Sequence, residues 1–410
     1  MRRFRLLTAL LAVIVMAAGC GDDDDSGDES GEGPDNTSES PAEELTGDPI
    51  RLGLITRPLY VDFAPAGAEA AIERINDAGG IDGRPLELVV CSNEDNANVA
   101  ADCARQFAAD PTIVATVGDN NSFGGDSNPP LEQAMIAGIG TSPLGGADFA
   151  SPRVFPNNSG GLQFLASAAF LHDDLQAESI GMATVDTPTA QALPGLINNS
   201  ILGPRGAALS GTVAIPTTAA DVSAQAASVA ESDGLMLALT GDLALRFIQS
   251  ARQQGFEGPF VLSETVVNAS AIQEALSPDV AEDIYTLTYY DKNSDGYARF
   301  LADMEEYQPD VVPGDLGAIA WLAVNMFEHV AADLPELTRQ SVWDAMSSLS
   351  DFETEGMTAG PLDFTTPGTA LGGTAPRLVP SVMSVYVDRY EDGEYVPLAD
   401  EQEAIAIFSE

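Results

Sequence analysis

Two rhythms of apolar and polar positions alternate along the chain. Short aliphatic runs read as strands of a buried parallel sheet: residues 50–55, 86–90 and 113–117 are the first three. Between the first two, Ala70, Ala71, Ile72 and Ile75 recur at helical spacing within 66–78, and Glu69, Glu73 and Arg74 occupy the opposite face. Gly79-Gly80 ends that helix, because glycine takes the left-handed C-terminal conformation without steric cost. The turn Ile81-Asp82-Gly83-Arg84-Pro85 then feeds the second strand. The result is a βαβ unit, whose right-handed crossover makes its strands parallel neighbours.

The alternation continues to the end. A helix over 98–108 precedes the third strand, and a helix over about 130–137 leads to a short strand at 137–140. Strands follow at 179–185, 207–215, 234–239, 259–262 and 284–289, separated by helices over 161–173, 190–202, a stretch ending at 230, and 243–254. Helices over 296–307 and 317–331 come next, the latter with Trp321, Val324 and Phe327 on one face. A strand at 382–387 and a hairpin at Glu391-Asp392-Gly393 close the chain. Strand and helix alternating in this way predict an α/β fold of doubly wound sheets. Polar, glycine-rich loops follow the strand ends, notably Gly118–Gly125 and Thr141–Gly146, where ligands collect in open α/β sheets.

The N-terminus adds an address. Arg2, Arg3 and Arg5 precede an apolar run, and Ala17-Ala18-Gly19 precedes Cys20, the pattern of a secretory signal over 1–19. The run is too short to cross a bilayer comfortably. Cysteine after Ala-Gly resembles a bacterial lipobox, which would make Cys20 the lipidated N-terminus and anchor the protein to the outside of the cell membrane. Ala17 stands where the lipobox usually has leucine. Residues 21–48 carry twelve acidic side chains and no basic one, so 20–48 is expected to be a solvated tether.

Composition then narrows the partners. With 17 Lys+Arg against 63 Asp+Glu the formal charge is −46, which excludes a nucleic-acid partner. Lys292 is the only lysine. Beyond Cys20 only Cys91 and Cys103 remain, a pair that in an exported protein reads as a local disulfide stabilising by roughly 3 kcal/mol. A metal or redox role would want a closer pair or further ligands. His172 and His329 lie inside helices with no nucleophile motif beside them, and neither G-x-S-x-G nor H-E-x-x-H occurs. No catalytic residue, metal site or cofactor is therefore expected.

The run Gly67-Ala68-Glu69-Ala70-Ala71-Ile72, followed by Ile75-Asn76-Asp77-Ala78-Gly79-Gly80-Ile81-Asp82-Gly83, resembles the opening helix and turn of type I periplasmic binding proteins. The branch it resembles is the Leu/Ile/Val-binding family of ABC-transporter receptors. That resemblance spans residue 50 to the C-terminus and implies two doubly wound Rossmann-like lobes joined by three crossovers. Residues 49–158 and 288–365 would form lobe 1, and 159–287 with 366–410 lobe 2. It also implies a small ligand (an amino acid, amide or small organic acid) held between the lobes, and an ABC permease as partner. A sensory lipoprotein of the same fold is the alternative.

Carried over position by position, the resemblance makes Tyr60 an aromatic wall and Ser122 the reader of the ligand carboxylate, or else a helix cap. Leu144 would offer backbone polarity where the family threonine has become Gly146. Asp186 falls among polar contacts, Ala190 replaces a tyrosine, and Thr240 replaces an aromatic residue. Glu264 would pair with a ligand ammonium, or else be a solvated loop acid. Trp321 matches a site aromatic, or else is core.

Overall fold

Leu52 lies opposite Leu88, and Leu54 opposite Val90, where β1 (Ile50–Thr56) runs parallel to β2 (Leu86–Ser92). The computed structural model describes residues 45–265, 267–399 and 404–408. With β3 (Ile113–Val117), β4 (Ala137–Ile139) and β5 (Val154–Phe155), the first two strands form a five-stranded parallel sheet in the order β2-β1-β3-β4-β5. The central strand β3 is buried along its whole length, which is why it reads as a continuous apolar run.

The second sheet has the order β12-β11-β10-β9-β8-β6-β7. Its parallel strands are β6 (Ile180–Val185), β7 (Leu209–Ile215), β8 (Gly234–Ala238), β9 (Phe260–Ser263) and β10 (Ile284–Thr288). β11 (Ser384–Glu391) pairs antiparallel with β10, and β12 (Glu394–Pro397) and β13 (Ile405–Ala406) pair antiparallel with β11. Beneath this sheet Leu243, Phe247, Ile248, Phe256 and Phe260 pack into a core of their own.

Between β10 and β11 the chain goes back to the first sheet. Helix Asp315–Ala331 packs along helix Ala64–Asp77, and helix Arg339–Ser347 packs on β3 and β4. The chain therefore passes between the sheets three times, after β5, after β10 and before β11. This is the two-lobed α/β architecture with three crossovers.

The approach of the first two of these helices depends on small residues. A Cβ on Gly67 would stand 2.0 Å from the Gly317 carbonyl oxygen. Gly→Ala in a helix ordinarily gains up to about 1 kcal/mol, but overpacking against backbone costs about 1–3 kcal/mol. Gly67→Ala is therefore expected to destabilise. Gly195→Ala, in helix Pro188–Ile197 where a Cβ meets nothing within 4 Å, is expected to be neutral or stabilising. Denaturant unfolding of the two variants checks the opposite signs.

Several boundaries differ from expectation. The helix placed over about 130–137 is Gly124–Gln133, with Pro129 and Pro130 inside it. Its first turn is built by Asp126 and Ser127 backbone N–H groups donating to the Phe123 carbonyl, a signal that the proline pair masked in the sequence. Helix Arg339–Ser347 was not foreseen. Thr338 and Ser341 cap it reciprocally, and the Arg339 guanidinium donates to the carbonyls of Phe107, Ala108, Asp110 and Ile113.

Cys91 on β2 and Cys103 on helix Ala97–Ala109 form a disulfide, with Cα atoms 5.8 Å apart. The end of the segment read as tether is tied down. Thr46 and Gly47 donate to the Gly83 carbonyl, and Arg84 Nε donates to the Asp48 carbonyl at 2.8 Å. Cys20, the signal segment and the rest of the tether lie outside the described residues. Among the described residues no helix is long and apolar enough to cross a membrane.

Candidate functional site

Each sheet reverses its winding at one point, between β1 and β3 in the first and between β6 and β8 in the second, and ligand crevices form beyond the strand ends there. A cavity of about 110 Å³ opens where the loop after β1 faces the loop after β9. Leu59, Tyr60 and Phe63 line it from the first lobe, and Glu264, Thr265 and Asn268 from the second. The start of helix Asp315–Ala331, with Val312 to Gly317, completes the wall. Tyr60 is buried, with the Arg57 guanidinium 5.4 Å from its ring centre and itself paired with Asp95.

Behind the wall, Glu264 belongs to a buried cluster of charged side chains. Lys292 Nζ donates to Glu264 Oε2 at 2.6 Å and stands 2.7 Å from Asp388 Oδ2. Burial alone would lower the ammonium's pKa, but the two carboxylates reverse this and raise it well above its ordinary value. Asp315 accepts from the Thr288 hydroxyl at 2.5 Å and the Tyr289 backbone N–H at 3.1 Å. Burial first, and then the charge of Glu264, push its carboxyl up to about 8, against the pull of Lys292 and those two hydrogen bonds.

Tyr60 and Glu264 are thus brought to one cavity. The other expected site residues are not among its lining residues. Ser122 is exposed, and Asn121 rather than Ser122 accepts from Phe123 N–H and braces the loop to Asn93 and Ser127. The Leu144 backbone N–H is taken by Asp148 Oδ2 at 3.1 Å. Asp186 is exposed and accepts from Gln191 at 2.6 Å. Thr240 is the N-cap residue of helix Gly241–Gln253 without a side-chain cap bond. Trp321 is buried between helices, edge-on to Phe300, and donates through Nε1 to Asp303 at 2.7 Å.

Sequence reading missed Lys292 as the partner of Glu264, Asp388 as that lysine's second carboxylate and Asp315 as a neighbouring acid. The available signal was that Lys292 is the sole lysine in so acidic a chain. It also missed the knot that holds the first lobe's strand-end loops. The Arg153 guanidinium is 1 % exposed and donates to Thr116 Oγ1 (2.5 Å), Asn128 Oδ1 (2.8 Å), the Ile136 carbonyl (3.1 Å) and Asp119 Oδ2 (3.2 Å). Asp119 also accepts from Ile55 N–H and the Thr116 hydroxyl, so one ion pair ties the ends of β1, β3 and β4 together. Asp148 sits alongside, its carboxyl pKa raised by burial although it accepts from Leu144, Asn128 and Gly145.

Among the described residues no group of three or more His, Cys, Asp and Glu is placed to hold a metal ion. What the arrangement offers is a partly apolar pocket between two lobes, with a few polar groups at its wall.

Two doubly wound lobes, three connecting passages and a cavity at facing strand ends define a two-lobed solute-binding architecture. The chain belongs to the periplasmic binding protein family, whose model matches residues 63–375. Its fold is shared by the fatty acid ABC transporter substrate-binding protein from Thermomonospora curvata (TM-score 0.72, 16% identity, covering 88% of this chain and 94% of that one). It is shared too by the branched-chain amino acid transporter substrate binding protein LivJ from Streptococcus pneumoniae in complex with isoleucine (TM-score 0.69, 18% identity, 87% and 99% covered). The leucine binding protein LivK from Thermotoga maritima is a third such neighbour (TM-score 0.67, 18% identity, 87% and 98% covered). No curated protein sequence is significantly similar to the chain. The resemblance drawn from the opening helix and turn is borne out by this family and these neighbours.

Proposed function

We propose that the protein is an extracytoplasmic solute-binding lipoprotein of an ABC importer, anchored through Cys20. It captures a small organic ligand, from among amino acids, amides and organic acids, and delivers it to a permease. The observation that carries this reading is the cavity that Tyr60 and Phe63 share with Glu264, Thr265 and Asn268, residues of two separate sheets' loops. A molecule bound there bridges the lobes, so its binding energy selects the closed arrangement, and the closed pair of lobes is the shape a permease would read. Solved neighbours named for isoleucine, leucine and fatty acid support the reading of a small organic ligand.

The reading predicts thermal stabilisation by ligand. A compound that binds only the folded state adds about 2.7 kcal/mol at a hundredfold excess over its dissociation constant. Differential scanning fluorimetry of the purified protein against amino acids, amides and small organic acids is expected to show at least one such shift. That shift should be reduced by Tyr60→Ala, which strips the first lobe's wall. Silence across the panel would sink the capture reading.

A further inference from the structure

Glu264, the cavity's acid, already has a counter-ion behind it. Lys292 Nζ lies 2.6 Å from Glu264 and 2.7 Å from Asp388, and the two carboxylate side chains are only 10% and 1% exposed. A ligand ammonium directed at Glu264 would therefore be brought up against a buried ammonium already in place. A ligand carboxylate would instead join Glu264 and Asp388, two carboxylates with one lysine between them. Both charged classes meet repulsion in a site with little water to screen it.

The walls favour an uncharged body. Leu59, Phe63, Val312 and Leu316 line the cavity, and Leu59 and Val312 remain 46% and 57% exposed. One polar direction is offered to a donor. Lysine takes Glu264 Oε2, whereas Oε1 lies 3.4 Å from the point where a Cβ on Gly314, another lining residue, would stand.

We propose that the ligand is an uncharged molecule with an apolar body and an N–H or O–H donor, a primary amide being the simplest fit. Lys292 fills from within the chain the place a ligand cation would take. This rests on the solute-capture reading and narrows it.

The test uses two bodies in three charge states: 4-methylpentanamide, 4-methylpentanoate and leucine, then 3-phenylpropanamide, 3-phenylpropanoate and phenylalanine. Isothermal titration of the purified protein is expected to rank the amides at least about tenfold tighter than the acids and zwitterions. Leucine or phenylalanine binding as tightly as its amide overturns the inference and leaves capture standing. A carboxylate binding best overturns it as well.

A second arm is independent of the ligand. In Lys292→Ala the vacated place should be filled by n-propylammonium, which raises the melting temperature of the variant and leaves the parent unmoved, with sodium as the salt control. No response overturns the assignment of that place to a cation. Should Lys292→Ala fail to fold, Lys292→Met takes its place with ammonium as the added cation, since the methionine stem leaves room only for the charged end. Silence of all six probes on the parent defeats capture of ligands of this kind, while the propylammonium arm still decides whether Lys292 holds a cation's place.

Discussion

Arg153→Ala is expected to lower the unfolding free energy by about 3–5 kcal/mol, the cost of removing one partner from a buried ion pair. The guanidinium is 1 % exposed and bonds four acceptors, on β3, on the loop after it, on helix Gly124–Gln133 and just before β4. Alanine leaves the Ile136 carbonyl and Asn128 Oδ1 without that donor and the Asp119 carboxylate without its cation. No water-filled alternative is at hand, because Thr116, Asp119 and Asn128 are themselves buried. The packing leaves no slack either: a Cβ on Gly138 would already meet an Arg153 guanidinium nitrogen at 2.7 Å. Urea unfolding measures the loss. The double variant Arg153→Met/Asp119→Asn should lose less than Arg153→Ala, since it also removes the stranded charge. A single-variant loss below about 1 kcal/mol would mean that the pair is no more than a surface-type contact.

The second large effect is a dependence on pH that Asp315 imposes. Its carboxyl ionises near 3.8 when unfolded and is pushed up to about 8 in the fold by burial and by the neighbouring Glu264. Between those values the folded state holds a proton that the unfolded state has lost. The resulting stability is full below about pH 4 and is lost as pH rises through about 8. One pKa unit corresponds to about 1.36 kcal/mol, so the swing is on the order of several kcal/mol. The first turn of a helix favours a negative charge and works against the shift, which keeps the swing from being larger. Asp315→Asn, uncharged throughout, should flatten the stability difference between pH 5 and pH 8 relative to the parent. The groups facing Asp315 that also bear on this window are Glu264 and Lys292, so Glu264→Gln should move the Asp315 transition downward. Unfolding free energies of the three proteins at several pH values decide it.

The fold was legible because its signals are local. Parallel strands buried on both faces spell continuous apolar runs, as β3 and β8 do. The double glycine at 79–80 ends the first helix with both residues at positive φ, as a C-terminal stop requires. Boundaries failed where a local rule met a tertiary one. The sequence places a helix from about Pro130, yet the helix begins at Gly124.

The site was less legible because its partners are distant in sequence. Tyr60 and Glu264 could be named singly, but that Glu264 is already answered by Lys292, 28 positions on, and that Asp388 shares the same ammonium, is a fact of the β9, β10 and β11 packing. Similarly, Arg153 reads as an ordinary loop arginine until the fold sets it under β3 and β4.

Lys292 has a consequence at the bench. It is the chain's sole lysine, and its two carboxylate partners hold it protonated. Only a neutral amine attacks an acylating reagent, so an active ester near neutral pH finds no reactive lysine on the folded protein. Modification of Lys292 then becomes a clock for the opening of its ion pair, readable by peptide mass at that one position, apart from any addition at the α-amino terminus.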